Sequence, residues 1–165
     1  FNKMEIILQK LKFSFQILLL LFLSFQNLFS FNSQINKPND EDLIKESLTN
    51  YFIEVDKKNT EEMLTFFELP LIMNFESKQP LFLEDDDEVI EVFNTWKNSK
   101  KADFLKTNID NVEYTEIHNN FMWVVDVTYS RTGFNDEILS TKRSLYYFVK
   151  KDSWKIYMIS SVELE

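Results

Sequence analysis

The sequence predicts an α+β domain over residues 40–165, preceded by a hydrophobic leader. Apolar residues recur at helical spacing through the first half of the domain, and strand-like alternation fills the second half. Helices segregated in this way from a run of long antiparallel strands pack together on one side of a sheet.

The first helix is expected to open at Asn39 or Asp40, with acids in its first turn where the helix dipole favours them. Leu43, Ile44, Leu48, Tyr51, Phe52 and Val55 give it one apolar face, and Lys57 and Lys58 suit its carboxyl end. Asn59, with Glu62 three places on, is a capping pattern that opens a short second helix. Met63, Leu64, Phe66 and Phe67 form its buried side, and Pro70 is expected to end it. Two short strands follow, over residues 71–75 and 80–83, joined by a turn over residues 76–79. The acids from Glu84 to Glu88 then start a third helix bearing Val89, Ile90, Phe93 and Trp96. Long strands are expected over residues 107–118, 120–131, 138–151 and 153–164. Asn119-Asn120, a loop around Gly133 and Lys151-Asp152 supply the turns.

Charge divides the chain. Residues 1–34 carry Lys3, Lys10 and Lys12 against Glu5, a net +2, while the remainder carries 15 basic and 26 acidic side chains, a net −11. Residues 13–36 are uncharged and contain an unbroken apolar run from Ile17 to Leu23. A basic stretch, a short apolar core and then polar residues follow the order of a secretory signal. Residues 1–34 are therefore expected to act as a signal peptide or membrane anchor, with residues 35–39 as linker. Its positive flank directs the acidic domain across the membrane, to a periplasmic, secreted or tethered location. Contact with membrane is expected only through this leader. A domain so acidic is a poor binder of phosphate backbones, so no nucleic-acid partner is expected.

Composition removes several chemistries. Without cysteine there is no thiolate nucleophile, disulfide or Cys-type zinc site. His118 is the only histidine, which excludes a multi-histidine metal site within one chain, and it adjoins a turn where solvation is expected. A single glycine leaves no Gly-rich phosphate loop. The run from Glu84 to Glu88 lacks the glycine of a calcium loop, and helix-dipole pairing accounts for its acids. No metal and no cofactor is expected.

Several short stretches, taken in order, resemble the NTF2-like (SnoaL-like, cystatin-like) cone fold. Tyr51-Phe52 matches the aromatic pair of that family's long first helix, and Asp56 its acid before the short second helix. Phe66-Phe67-Glu68-Leu69-Pro70-Leu71 is similar to its approach to the first strand. Residues 124–129 resemble its central strand, and Ser153-Trp154-Lys155-Ile156 the start of its last. The resemblance spans residues 40–163 and implies about three helices packed on a curved, mainly antiparallel sheet around a conical pocket. It also implies frequent dimers. The family hosts isomerases, dehydratases, cyclases and members without known activity, so the fold does not assign a reaction.

In the central strand, alternation sets Phe121, Trp123, Val125, Val127 and Tyr129 on one face and Met122, Val124 and Asp126 on the other. Leu145, Tyr147 and Val149, with Trp154, Ile156 and Met158, are assigned to the helix side. Met122, Val124, Tyr146, Phe148, Tyr157 and Ile159 then form an outer face too apolar for water, so a homodimer through that face is expected. Tyr51, Trp96, Trp123, Tyr147 and Trp154 are the candidate ligand-binding residues lining the cone, which suits a small hydrophobic ligand. Isomerases of this fold use an Asp base with a Tyr or Asp donor, for which Asp56, Asp126, Tyr51 and Tyr147 are the candidates. The leading expectation is a non-enzymatic module that binds a small apolar ligand or a protein partner. The alternative is a cofactor-free isomerase or lyase acting in the cone.

Overall fold

A computed structural model describes residues 39–75 and 79–164. The leader over residues 1–34, linker residues 35–38 and the turn at residues 76–78 lie outside the described residues. Among the described residues two helices and two strands precede a third helix and four long strands: α1 Asp40–Lys57, α2 Thr60–Leu64, β1 Phe67–Asn74, β2 Leu81–Leu83, α3 Asp86–Lys97, β3 Lys106–His118, β4 Met122–Thr132, β5 Ile138–Lys150 and β6 Trp154–Val162. A single 3₁₀ turn, Lys100–Ala102, sits between α3 and β3.

The helix ends are set by local chemistry. The Asn39 side chain accepts from the Asp42 N–H at 2.7 Å, and that of Asp85 from the Glu88 N–H at 3.0 Å. Each satisfies an amide that the first helical turn leaves without an intrahelical partner. Glu88 reaches back to accept from the Glu84 N–H, so two acids of this run are employed at the start of α3. Helix α1 stops at Lys58, whose φ of 58° is left-handed and turns its N–H onto the last carbonyls. Pro70 does not end α2, as the sequence suggests. That helix closes at Leu64, and β1 runs through a cis Leu69–Pro70 peptide.

One six-stranded sheet has the order β2-β1-β6-β5-β4-β3, antiparallel except where β1 lies parallel to β6. The helices cover one face. Ile44, Leu48, Tyr51, Phe52 and Val55 of α1 meet Val125, Val127, Tyr146, Phe148 and Ile156 of the sheet in one continuous core. Burial of each large apolar side chain contributes roughly 1.5–3 kcal/mol, and helices in proteins owe most of their stability to packing of such a face, so this face is what holds α1 in place.

The facing of β5 and of half of β6 is the reverse of the expectation. Trp123 pairs with Phe148 and Val125 with Tyr146, which carries Tyr146 and Phe148 to the helix side, where both are buried. Leu145, Tyr147 and Val149 take the outer side. Both sets are apolar, so composition could not choose between them; the register across the β4–β5 hairpin did. In β6 the pairing skips Tyr157, between Phe148↔Ile156 and Tyr147↔Met158. This bulge puts Tyr157 and Met158 on the outer side together and returns Ile159 to the core.

Candidate functional site

Two carboxylates were candidates for the base of a cone reaction, and each is committed elsewhere. Asp56, at the end of α1, accepts from the Thr107 hydroxyl at 2.6 Å and from the Thr107 N–H at 3.0 Å. It ties the helix to the start of β3. Asp126 lies on the outer face and takes a two-point grip from Arg143, at 2.9 and 2.7 Å. Among the described residues, no carboxylate is buried in the core.

Aromatic rings occupy the interior instead. Tyr51 has Phe52, Phe66, Phe67 and Tyr146 around it, with centroids 5.6–6.1 Å away. Phe52 in turn meets Tyr129 at 5.3 Å, and Phe67 stacks on Phe93 at 5.6 Å. Burial pushes the Tyr51 and Tyr146 phenols up, Tyr146 with a further push from Tyr129 and Tyr51. Both stay protonated at neutral pH, able to donate a hydrogen bond and unable to act as a base.

The five candidate ligand residues do not converge. Trp154 is buried at the start of β6, where its indole N–H donates to Asp40 at 3.0 Å. Trp123, half-buried, packs against the core from β4, and its indole nitrogen is enclosed without a partner among the described residues. Trp96 stands near the opposite end of α1, against Phe93 and Phe104. Asp40 and Asp56 mark the two ends, about 24 Å apart at 1.5 Å per residue. Tyr51 sits between them. Tyr147 faces away from all four and meets Tyr157 on the outer face.

At the end where α1 stops, Trp96 belongs to a basic and aromatic cluster whose other members the sequence reading does not single out. Lys58 Nζ lies 3.5 Å and Arg131 Cζ 4.2 Å from the Phe104 centroid, with Trp96 and Tyr129 at 5.5–5.8 Å from one or both cations. The sequence held a signal for it. Arg131 follows Trp123, Val125, Val127 and Tyr129 in the same alternation, a charge on the helix-facing side of the central strand.

The family described as NTF2-like protein (DUF6841) matches residues 40–164, the whole of the helix-and-sheet domain. The chain belongs to this NTF2-like family. Solved structures with the same NTF2-like fold include an NTF2-like protein from Cytophaga hutchinsonii, with a TM-score of 0.60 at 17% identity over 77% of this chain and 100% of that one. A cystatin-like domain of unknown function from Nostoc punctiforme gives 0.62 at 13% identity, covering 79% of this chain and 81% of that one. A protein from Novosphingobium aromaticivorans, provisionally named a scytalone dehydratase, gives 0.56 at 13% identity over 74% and 84% of the two chains. Identities this low carry the fold and not the activity. No curated protein matches the chain.

Proposed function

We propose that this NTF2-like domain is a non-catalytic binding module, that its working surface is the outer face of the sheet, and that the occupant is a second copy of the chain. The observation that carries this is an apolar row in register across five strands: Phe82, Ile72, Met158, Tyr147 and Val124. Phe82 at its edge is 64% exposed. Met122, Leu145 and Tyr157 flank the row.

The charges around it favour self-association. The domain as a whole repels its copies, with a net −11 over residues 35–165. On this face, however, Asp126 is paired by Arg143 in the adjacent strand. A patch that is apolar at the centre, with a carboxylate beside it neutralised by an arginine, can meet its own copy in a two-fold contact that closes on itself. The rival reading, an isomerase or lyase, requires an ionised base inside the cone, and the engagement of Asp56 and Asp126 argues against them in that role. The tightly ringed interior likewise supports a surface partner over a small apolar ligand. The leader adds to the proposal that this module works beyond a membrane or tethered to one.

Residues Asn39–Glu165 form one compact unit, so the 35–165 fragment can be tested directly. Sedimentation at micromolar concentration should give a dimer for the fragment and for Glu137→Gln, a loop control. Tyr147→Glu should be monomeric with an unchanged circular dichroism spectrum, because it places a charge at the centre of the contact. A monomeric parent would reject the reading.

A further inference from the structure

The cluster around Phe104 carries an inference independent of the outer face. Acidic side chains outnumber basic ones 27 to 18, yet Lys58 and Arg131 share a position with no carboxylate pairing either cation among the described residues. The acid nearest in sequence, Asp56, has both oxygens engaged by Thr107. Lys58 Nζ donates to two backbone carbonyls, those of Asp56 and Phe104, each at 3.1 Å. Arg131 has one long hydrogen bond, Nη1 to the Lys101 carbonyl at 3.4 Å, and its Nε is enclosed without an acceptor among the described residues. A guanidinium has five donors, and among the described residues a protein acceptor meets one of them.

The distances bound the separation of the charges. They stand 3.5 and 4.2 Å from one ring centroid, so Lys58 Nζ and Arg131 Cζ are at most 7.7 Å apart. Where both cations are reached from one side of the ring, a carboxylate accepting a charge-assisted hydrogen bond of about 2.8 Å on each oxygen can bridge them within that limit. Ring faces compensate cations only partly, and like charges this close repel. Burial lowers the Lys58 ammonium; the Asp56 carboxylate opposes this, and Arg131 adds a smaller push in the lowering direction. Both side chains are half-buried, as is Trp96, whose indole is equally near to the two and offers a flat surface to an aryl group.

We propose that Lys58 and Arg131, backed by Phe104 and Trp96, form a binding site for a small organic carboxylate at the end of the core where α1 stops. The cations take the carboxylate oxygens, and the aromatic pair meets the ligand's body.

The chain's two arginines, Arg131 and Arg143, make the test internal. Full-length ¹⁵N-labelled protein in non-ionic detergent is titrated with sodium benzoate at constant ionic strength, and the two Nε–Hε resonances are followed, assigned by loss of one in Arg131→Lys. The Arg131 signal should move along a saturating curve while that of Arg143, held by Asp126, stays in place. Lys58→Met should weaken the fitted affinity roughly tenfold, the worth of one charge-assisted hydrogen bond, and Lys58→Arg should retain it. Neither residue is in the apolar core, and an unchanged Arg143 signal reports an intact sheet. If the Arg131 signal stays still, follows sodium chloride equally, or keeps its affinity in Lys58→Met, the site is overturned and the two cations only close the end of the core.

Discussion

The Trp154 indole and the Asp40 carboxylate meet at 3.0 Å, joining the first residue of α1 to the first residue of β6 across 114 positions of chain. Lys150 Nζ donates to the same oxygen at 2.6 Å. Trp154→Ala should therefore lose both a buried ring and this junction, at a cost of roughly 3–5 kcal/mol in urea denaturation. A loss below about 1 kcal/mol would mean that the ring is not part of the core.

The same junction gives a pH dependence. Hydrogen bonds from Lys150 and then Trp154 hold the Asp40 carboxyl below its ordinary value of 3.8, outweighing an opposing effect of burial. A depressed carboxylate contributes stability that is complete above its unfolded value and is lost as pH falls through the folded one. Asp40→Asn should thus be less stable than the parent at neutral pH, and the gap should close below about pH 4. Denaturation midpoints of both proteins across that range check the sign; a gap that widens in acid would contradict it.

Phe148 and Tyr147 are neighbours with opposite fates. Phe148 has no exposed surface, so Phe148→Ala should destabilise by roughly 3–5 kcal/mol, and Phe148→Glu should not fold. Tyr147→Ala should leave the monomer's stability within about 1 kcal/mol, because its ring lies on the outer face. Unfolding at a concentration where both variants are monomeric separates the two; equal losses would place β5 in the wrong register.

Asp56 holds Thr107 through both of its carboxylate oxygens. Asp56→Ala leaves the buried Thr107 N–H and hydroxyl without their acceptor, which should cost roughly 1–3 kcal/mol. Thr107→Val in the Asp56→Ala background should then cost little more, since the two losses share one interaction. Additive losses in a double-mutant cycle would show that the pair is not coupled.

Export is testable without the domain. A reporter fused after Gln34 should appear beyond the cytoplasmic membrane, and replacing Leu20 and Leu21 with Asp should retain it inside. An acid at the centre of an inserting segment costs roughly 2.5–3.5 kcal/mol, enough for two to block insertion. Cytoplasmic activity from the unmodified fusion would reject the signal reading.

Local chemistry made much of the fold legible before any coordinates. Asn39 and the acids after it mark the start of α1, and its period-3.6 face names all five residues it buries together with the half-buried Leu43. The strands fall within two residues of expectation except β1, which begins at Phe67, four residues early. These features depend on neighbours in sequence. Even Arg131, on the helix-facing side of β4, was readable from alternation alone, although its companionship with Lys58 was not.

What tertiary structure alone decided is which of two apolar faces turns inward. Tyr146-Phe148 and Leu145-Tyr147-Val149 are equally suited to burial, so only pairing with β4 could choose, and a one-residue bulge at Tyr157 then exchanged Met158 for Ile159. The parallel contact of β1 with β6 joins residues more than eighty positions apart. The partners of Asp56, Asp126 and Trp154 were equally hidden, because a hydrogen bond across the fold leaves no periodic trace in the chain. Sequence alone determined where most helices and strands begin and which residues can be buried, because both follow from near neighbours in the chain; packing determined the boundary between α2 and β1 and which of those residues are buried, because both depend on contacts far apart in sequence.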